Sequence, residues 1–308
     1  MKKILITSVG TATAVNLIKG FKRLGSVTLY GTDINPFGYT AGSQMVDGYF
    51  KVPLATDPSY LPVVQNIIKD EQIDFFLPIN DSEVELISKN KDAIPCKTFL
   101  ADYETISLTR DKKKCNDLVR SLGIPVAKDV SSDAPCKKVI RNICGVGSTG
   151  VWFYEPEETV SFDSSTQICQ EFISGEEYTV DLLCDATGIP AYIIPRKRLQ
   201  VKAGVATKIL VEDVPTLVDA CKKITEKLCL PGFSNIQFIK DEKGDFYFIE
   251  INARFSGAGA ATLLASKDYL KTYQNFIEGA SSSGSINKDV SWNAVITRYY
   301  EEVMYLEH

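Results

Sequence analysis

Two regimes of apolar patterning divide this chain, and that division limits the folds open to it more than any other feature. In the first hundred residues, short apolar runs alternate with helical patterns. Ile4–Val9 precedes a helical stretch from Ala12 to Leu24, Val27–Tyr30 leads to Asp33, and the helical stretch Tyr60–Lys69 precedes Asp74–Pro78. Strand–helix alternation of this kind predicts a parallel sheet with helices on both faces. Further on, strands follow strands. "KKVIRNICGVGSTGVWF" reads as a strand, a glycine-rich turn and a strand, and "QICQEFISGEEYTVDLLC" as two strands about a Ser-Gly break. "SNIQFIKDEKGDFYFIEINARFSG" reads as a hairpin, Phe233–Ile239 and Phe246–Ile251, turning at Asp241–Gly244. Amphipathic helices are expected from Arg110 to a stop at Gly123, from Pro215 to Leu228, and from about Ala260. The reading is an α/β doubly wound domain over residues 1–100, followed by an α+β region.

Composition narrows the chemistry. No apolar run approaches the roughly 18–20 residues of a membrane-spanning helix. "MKKILITSVG" reads as a first strand and not as a signal peptide. Eight cysteines, without a CxxC pair, suit reduced thiols of a cytoplasmic protein. A net charge of −5 without a basic tail argues against nucleic acid as a partner. The one histidine is His308, and "LEH" at residues 306–308 reads as the start of a purification tag. Triads, Cys-His pairs and imidazole metal sites are therefore excluded. Chemistry here must run on carboxylates, amides, Arg, Lys and backbone donors.

Several stretches carry such groups. "SVGTATA" departs from GxGxxG, so nicotinamide binding gains little support although Asp33 stands where a ribose ligand would. In "PINDSEVELI", Asp81 either caps a helix or faces a substrate. The loop "GVGSTG", with Gly145, Gly147, Ser148 and Gly150, either turns a hairpin or offers backbone N–H groups and hydroxyls to a phosphate. In "QEFISGEEY", groups around Glu171, Phe172 and Ile173 suit the edge of a purine, and Glu177 either accepts from ribose or is solvated. Glu250 and Asn252 leave one face of their strand, and Gln237 comes from the facing one. Three such oxygen-bearing side chains suit Mg²⁺ with phosphate oxygens, and Arg254 follows within reach of a transferring phosphoryl group. A buried Glu250 also demands positive charge in front of it.

In this order the motifs resemble the ATP-grasp superfamily, in particular one synthetase unit of the carbamoyl-phosphate synthase large chain. The resemblance covers essentially the whole chain, and "SNIQF…FIEINARFSG" is its most specific part. It implies a Rossmann-like pre-ATP-grasp domain (1–100) and a two-lobed ATP-grasp domain (101–305), with a small lobe over 111–173 and a large lobe over 174–305. It implies ATP and two Mg²⁺ ions, with Mn²⁺ able to substitute. Gln237, Glu250 and Asn252 would hold the metals, Lys112 (or Arg110) and Arg141 the phosphates, Glu171, Phe172 and Ile173 the adenine, and Glu177 the ribose. Arg254 would steady an acyl-phosphate. "PRKRLQVKAG" resembles a substrate-side basic segment, making Arg196 and Arg198 candidates to hold a carboxylate or phosphate, and a solvated basic loop is the alternative.

The implied activity is an ATP- and Mg²⁺-dependent ligase joining a small-molecule carboxylate to an amine or similar nucleophile, with a homodimer compatible. Two departures stand out. Arg141 occupies the position of an expected Lys, which keeps the charge and changes the geometry. The short stretch from Gly150 to Gln170 leaves the small lobe without room for a helix. Only one synthetase unit is present, so complete carbamoyl-phosphate synthesis is not implied. A nucleotide-binding protein without turnover is the rival reading, with a Rossmann oxidoreductase behind it.

Overall fold

Strand β1 (Lys2–Ile6) holds three consecutive buried side chains, and successive ones enter different cores: Ile4 and Ile6 one, Leu5 the other. A strand buried on both faces suits a parallel sheet covered by helices. Helix α1 (Ala12–Leu24) follows, capped by the Thr11 hydroxyl, which accepts from the Ala14 N–H at 3.2 Å. It ends at Gly25, whose φ of +68° favours glycine. β2 (Val27–Asp33), β3 (Gly48–Lys51) and, after α2 (Tyr60–Asp70), β4 (Phe75–Leu77) complete a parallel sheet in the order β3-β2-β1-β4. The computed structural model describes residues 1–145 and 150–307 of the chain.

The strands of this sheet all run the same way, but the order in which the chain adds them reverses between β1 and β4. Residues 7–11 and 78–81 therefore border a crevice at the strand ends, where open α/β sheets bind ligands. Helix α3 (Asp81–Lys89) begins on that rim. Its cap is Asn80, whose Oδ1 accepts from the Ser82 N–H at 2.9 Å, while Glu83 accepts from the Asn80 N–H at 3.1 Å. Asp81 is thus free of the capping role.

Helices α4 (Tyr103–Arg110) and α5 (Lys112–Ser121) correct one expectation. Arg110 ends the first and does not begin the second, because Asp111 adopts extended backbone and caps α5 by accepting from the Lys114 N–H at 3.0 Å. Next, β5 (Lys138–Asn142), β6 (Val151–Tyr154) and β7 (Gln167–Glu171) form an antiparallel sheet in the order β6-β5-β7. Residues 155–166 between β6 and β7 contain turns and no helix.

The largest sheet is antiparallel. β8 (Glu176–Cys184), β9 (Pro190–Lys202), β10 (Val205–Val211), β11 (Gly232–Lys240), β12 (Phe246–Asn252) and the short β13 (Val295–Thr297) run in the order β12-β11-β8-β9-β10-β13. Helix α6 (Pro215–Lys227) lies between β10 and β11 in the chain, and α7 (Ala260–Ala265) and α8 (Tyr269–Ile277) follow β12. The architecture is therefore mixed α/β, with the parallel sheet first and antiparallel sheets after it. Both main cores cross from one sheet to the other. One joins Leu5, Phe76 and Val84 to Val180, Ile236 and Phe248, and the other joins Ile4, Ile6 and Phe75 to Leu183, Phe233 and Tyr273. No helix among the described residues is long and apolar enough to cross a membrane.

Glu83, on α3, is a buried acidic residue packed against the first sheet. It accepts from the hydroxyls of Thr7, of Ser8 at 3.2 Å and of Tyr60 at 3.0 Å, and from the Asn80 N–H. Burial still lifts its carboxyl pKa above the ordinary range, outweighing these donors. Glu83→Ala should cost about 1–3 kcal/mol by stranding buried donors. A raised folded pKa adds stability that is fully present below the ordinary value of about 4.3 and is lost as pH rises through the folded pKa. Glu83→Gln, uncharged throughout, should therefore gain on the wild type in that window, as read by denaturation midpoints across a pH series.

Candidate active site

The site starts from a register. Gln237 on β11 pairs with Glu250 on β12, and Asn235 pairs with Asn252. Directly opposed residues share a face, so four amide and carboxylate side chains stand together on one side of the sheet. A register shift after Gln237, where Phe238 pairs with Phe248, marks a bulge that ends this alignment. The Asn252 amide donates to Glu250 Oε1 at 3.1 Å and to Asn235 Oδ1 at 3.3 Å. Asn235 in turn donates to the Arg254 carbonyl at 3.1 Å, tying the strand end to the loop beyond it. The sequence reading missed Asn235, although its position two residues before Gln237 puts it on the same face.

This face floors a cavity of about 370 Å³ between the two antiparallel sheets. Lys112, Arg141, Gly145, Gly150, Glu171, Phe172, Ile173, Glu177, Arg198, Gln237, Glu250, Asn252 and Arg254 all line it. These residues come from α5, from both sheets and from their connections. Gly147 and Ser148 lie outside the described residues. Gly175, between β7 and β8, owes its identity to close packing, since a Cβ there would sit 2.0 Å from the Lys240 carbonyl oxygen.

Positive charge does stand before Glu250. Lys112 and Arg141 both feel its carboxylate. Burial pulls the Lys112 ammonium and the Arg141 guanidinium below their ordinary ranges, and Glu250 opposes that shift in each. Arg141 is 8% exposed and donates through Nη2 to Gln170 Oε1. Gln170 is oriented by its own amide, which donates to the Ala127 carbonyl at 3.0 Å and to Asp129 at 3.1 Å. The Arg141 Nε–H is buried without an acceptor among the described residues. A buried, charged donor left unpaired is costly, and an anionic oxygen in the cavity would satisfy it.

The remaining walls differ in character. Val139, Phe153, Phe172, Ile239 and Ile249 supply apolar surface, with Phe153 and Phe172 edge to face at 5.5 Å. Such a wall suits a flat heterocycle. Glu177 pairs with Arg198 at 2.6 Å, and Arg198 also donates to the Gly204 carbonyl at 2.8 Å, which fastens the β9–β10 turn beside the cavity. Arg254 donates through Nε to Asp81 Oδ1 at 2.8 Å, a bond from the large sheet's loop to the rim of the parallel sheet.

The donors fit the implied groups. One carboxylate with neighbouring amide oxygens is the kind of set Mg²⁺ takes when phosphate supplies the rest. The unpaired Nε–H of Arg141 and the charge of Lys112 suit a polyphosphate. No group of three or more acidic, Cys or His residues that could hold a metal alone is found among the described residues, so substrate oxygens would have to complete the coordination.

Arg196 lies elsewhere. It is fully buried and does not line the cavity. Its Nε and Nη2 grip both oxygens of Asp181 at 2.9 and 2.7 Å, and Nη2 also donates to Ser256 Oγ at 3.1 Å. Thr262 donates to the same carboxylate. The pair thus secures the 254–262 segment against the sheet.

Residues 109–258 match the model of an ATP-grasp domain, and residues 4–97 that of a PylC-like N-terminal domain. The chain is 27% identical over 119 residues to 3-methyl-D-ornithine–L-lysine ligase of Methanosarcina acetivorans, covering 38% of this chain and 32% of the ligase. It is 24% identical over 271 residues to the arginine-specific carbamoyl phosphate synthase large chain of Bacillus subtilis, covering 79% of this chain and 26% of the relative. The chain therefore spans a third or less of these curated relatives. The biotin carboxylase domain of Hydrogenobacter thermophilus 2-oxoglutarate carboxylase, solved with MgADP, superposes with a TM-score of 0.75. That match covers 96% of this chain and 73% of the other at 16% identity, a likeness of fold alone.

Removing Arg196 leaves Asp181 buried and unpaired. Arg196→Met should destabilise the protein by about 3–5 kcal/mol in denaturant titrations, whereas the double substitution with Asp181→Leu should recover most of that loss.

Proposed function

We propose that this chain, a PylC-like N-terminal domain joined to an ATP-grasp domain, is an ATP- and Mg²⁺-dependent ligase that joins a carboxylate to an amine. The observation that carries the reading is the cluster of Lys112, Arg141 and Glu250, with its unpaired buried Nε–H, beside an apolar wall in one cavity. A polyphosphate and an aromatic base need those two surfaces side by side. The name of the Methanosarcina relative, an amino-acid ligase, supports the reaction class.

In this reading Phe172 and Ile173 hold the adenine and Glu177 the ribose, with Arg198 fixing Glu177. Lys112, Arg141 and the glycine-rich segment around Gly145 and Gly150 take the phosphates. Glu250, Asn252 and Gln237 hold Mg²⁺, which when bound supplies charge neutralisation on the phosphate oxygens. The acceptor carboxylate attacks the γ-phosphorus, the bond to the β–γ bridging oxygen breaks, and ADP leaves. Arg254 steadies the acyl-phosphate so formed. An amine nitrogen then attacks the acyl carbon, phosphate departs and the nitrogen's proton passes to solvent. Catalysis is mostly positioning and charge stabilisation, which requires no histidine. The division near residue 100, between a substrate-side domain and the two-lobed remainder, belongs to the same proposal.

ADP release with a panel of amino-acid acceptors tests the reaction. Without ADP from any acceptor, and with ATP still bound, the non-catalytic nucleotide-binding reading would replace this one. Glu250→Gln should lower turnover by about 10²–10³-fold, the cost of losing a transition-state electrostatic contact. Its melting temperature should fall, because Lys112 and Arg141 lose the carboxylate that offsets their burial. Arg141→Ala should weaken ATP binding by about 1.5–3 kcal/mol, the range for a hydrogen bond to a charged group, and Arg141→Lys by less. Calorimetric ATP titration checks both, and equal affinity in all three proteins would remove Arg141 from the site.

A further inference from the structure

Asp81 sits at the first position of α3, on the rim where the strand order of the parallel sheet reverses between β1 and β4. Asn80 and Glu83 already cap the helix, so Asp81 has no local duty. Its Oδ1 accepts from Arg254 Nε, 173 residues away, at 2.8 Å. Both partners are about one-fifth exposed, which keeps them in the cleft and partly shielded from water. Arg254 also donates through Nη1 to the Phe255 carbonyl at 3.2 Å. Two nitrogens of the guanidinium are therefore spent on orientation. Nη2 has no hydrogen-bond partner among the described residues, and Arg254 lines the cavity that holds Glu250.

We propose that Asp81 is a positioning residue that sets the plane of the Arg254 guanidinium, so that the parallel-sheet domain contributes directly to the active site. The inference rests on the ligase reading above. The geometry supplies the reason. A guanidinium is a flat fork at the end of a long flexible side chain, and its ordering is entropically expensive. Two hydrogen bonds made before the substrate arrives remove most of that freedom and aim the third nitrogen. A recess on the same side, lined by Asp81, Arg110, Lys112 and Glu250, continues the polar surface from the crevice to the cavity floor. The shared cores that cross between the sheets hold the carboxylate and the guanidinium at bonding distance. A pair that only fastened one sheet to the other would affect stability, not the reaction.

The test combines kinetics, stability and spectroscopy on the full chain. Asp81→Ala should reduce kcat by about 10–100-fold, the scale of a misplaced catalytic group. KM for ATP should stay within about twofold, since Asp81 touches no group assigned to the nucleotide. Asp81→Asn, which keeps an acceptor oxygen for the Nε–H, should retain most of kcat. In an Arg254→Lys background, Asp81→Ala should add little further loss, because the residue acts through the guanidinium. The ¹⁵N Nε–H resonance that disappears in Arg254→Lys should be slow to exchange in the wild type and fast in Asp81→Ala. Should Asp81→Ala fold poorly, Asp81→Ser carries the same comparison. If the wild type turns over and Asp81→Ala matches it, or if the losses multiply in the double variant, the positioning role is wrong. A wild type that releases no ADP with any acceptor overturns the ligase reading itself, and this inference with it.

Discussion

The alignment of β11 with β12 is the constraint on which the candidate site depends. It puts Gln237 opposite Glu250 and Asn235 opposite Asn252. A slip of β12 by one residue would turn Glu250 and Asn252 to the other face, into the core that Ile236, Phe238 and Ile251 now fill. The apolar residues therefore lock the polar ones in place. Once Glu250 is held half-buried on that face, cations must approach it. Lys112 arrives from the start of α5 and Arg141 from near the end of β5, two elements far from the hairpin in sequence. The break at Asp111 is what starts α5 at Lys112 and presents that residue to the cavity.

Charges elsewhere obey the same rule with a different outcome. Arg196 and Arg198 stand two apart on β9, and their environments divide them. Arg198 reaches the cavity wall, where Glu177 and the Gly204 carbonyl hold it. Arg196 is sealed beneath the 254–262 segment, paired to Asp181 in a two-pronged geometry that compensates its burial. Such a pair adds little stability over a well-packed apolar alternative, but it tolerates the loss of neither partner. It also fixes Ser256, which lines the cavity, so a residue outside the site still shapes its wall.

The two cores bind the parallel sheet and the large antiparallel sheet into one packed body. Phe75, on the first sheet, meets Tyr273, on α8, at 5.8 Å, and Tyr273 stacks on Phe233 of β11 at 4.0 Å. This chain of rings reaches from the first sheet to the strand that carries Gln237. Packing of that kind keeps the Asp81–Arg254 bond at 2.8 Å across the interface.

Much of the fold was legible in the order of residues alone. Period-2 alternation and turn chemistry depend on neighbours in the chain, so the β11–β12 hairpin, the parallel first sheet and the shared face of Glu250, Asn252 and Gln237 could be read directly. The shortness of the β6–β7 connection showed in its length. Contacts between distant segments could not be read in this way. "PRKR" does not say which arginine will be covered, because the lid over Arg196 is formed about sixty residues later by Ser256 and Thr262. "PIND" does not say whether Asn80 or Asp81 takes the cap, or that the spare carboxylate meets Arg254 from the far end of the chain. Local pattern specifies which groups share a face. Only the packing of one sheet against another decides which of them are buried, which are paired and which are left pointing into the cavity.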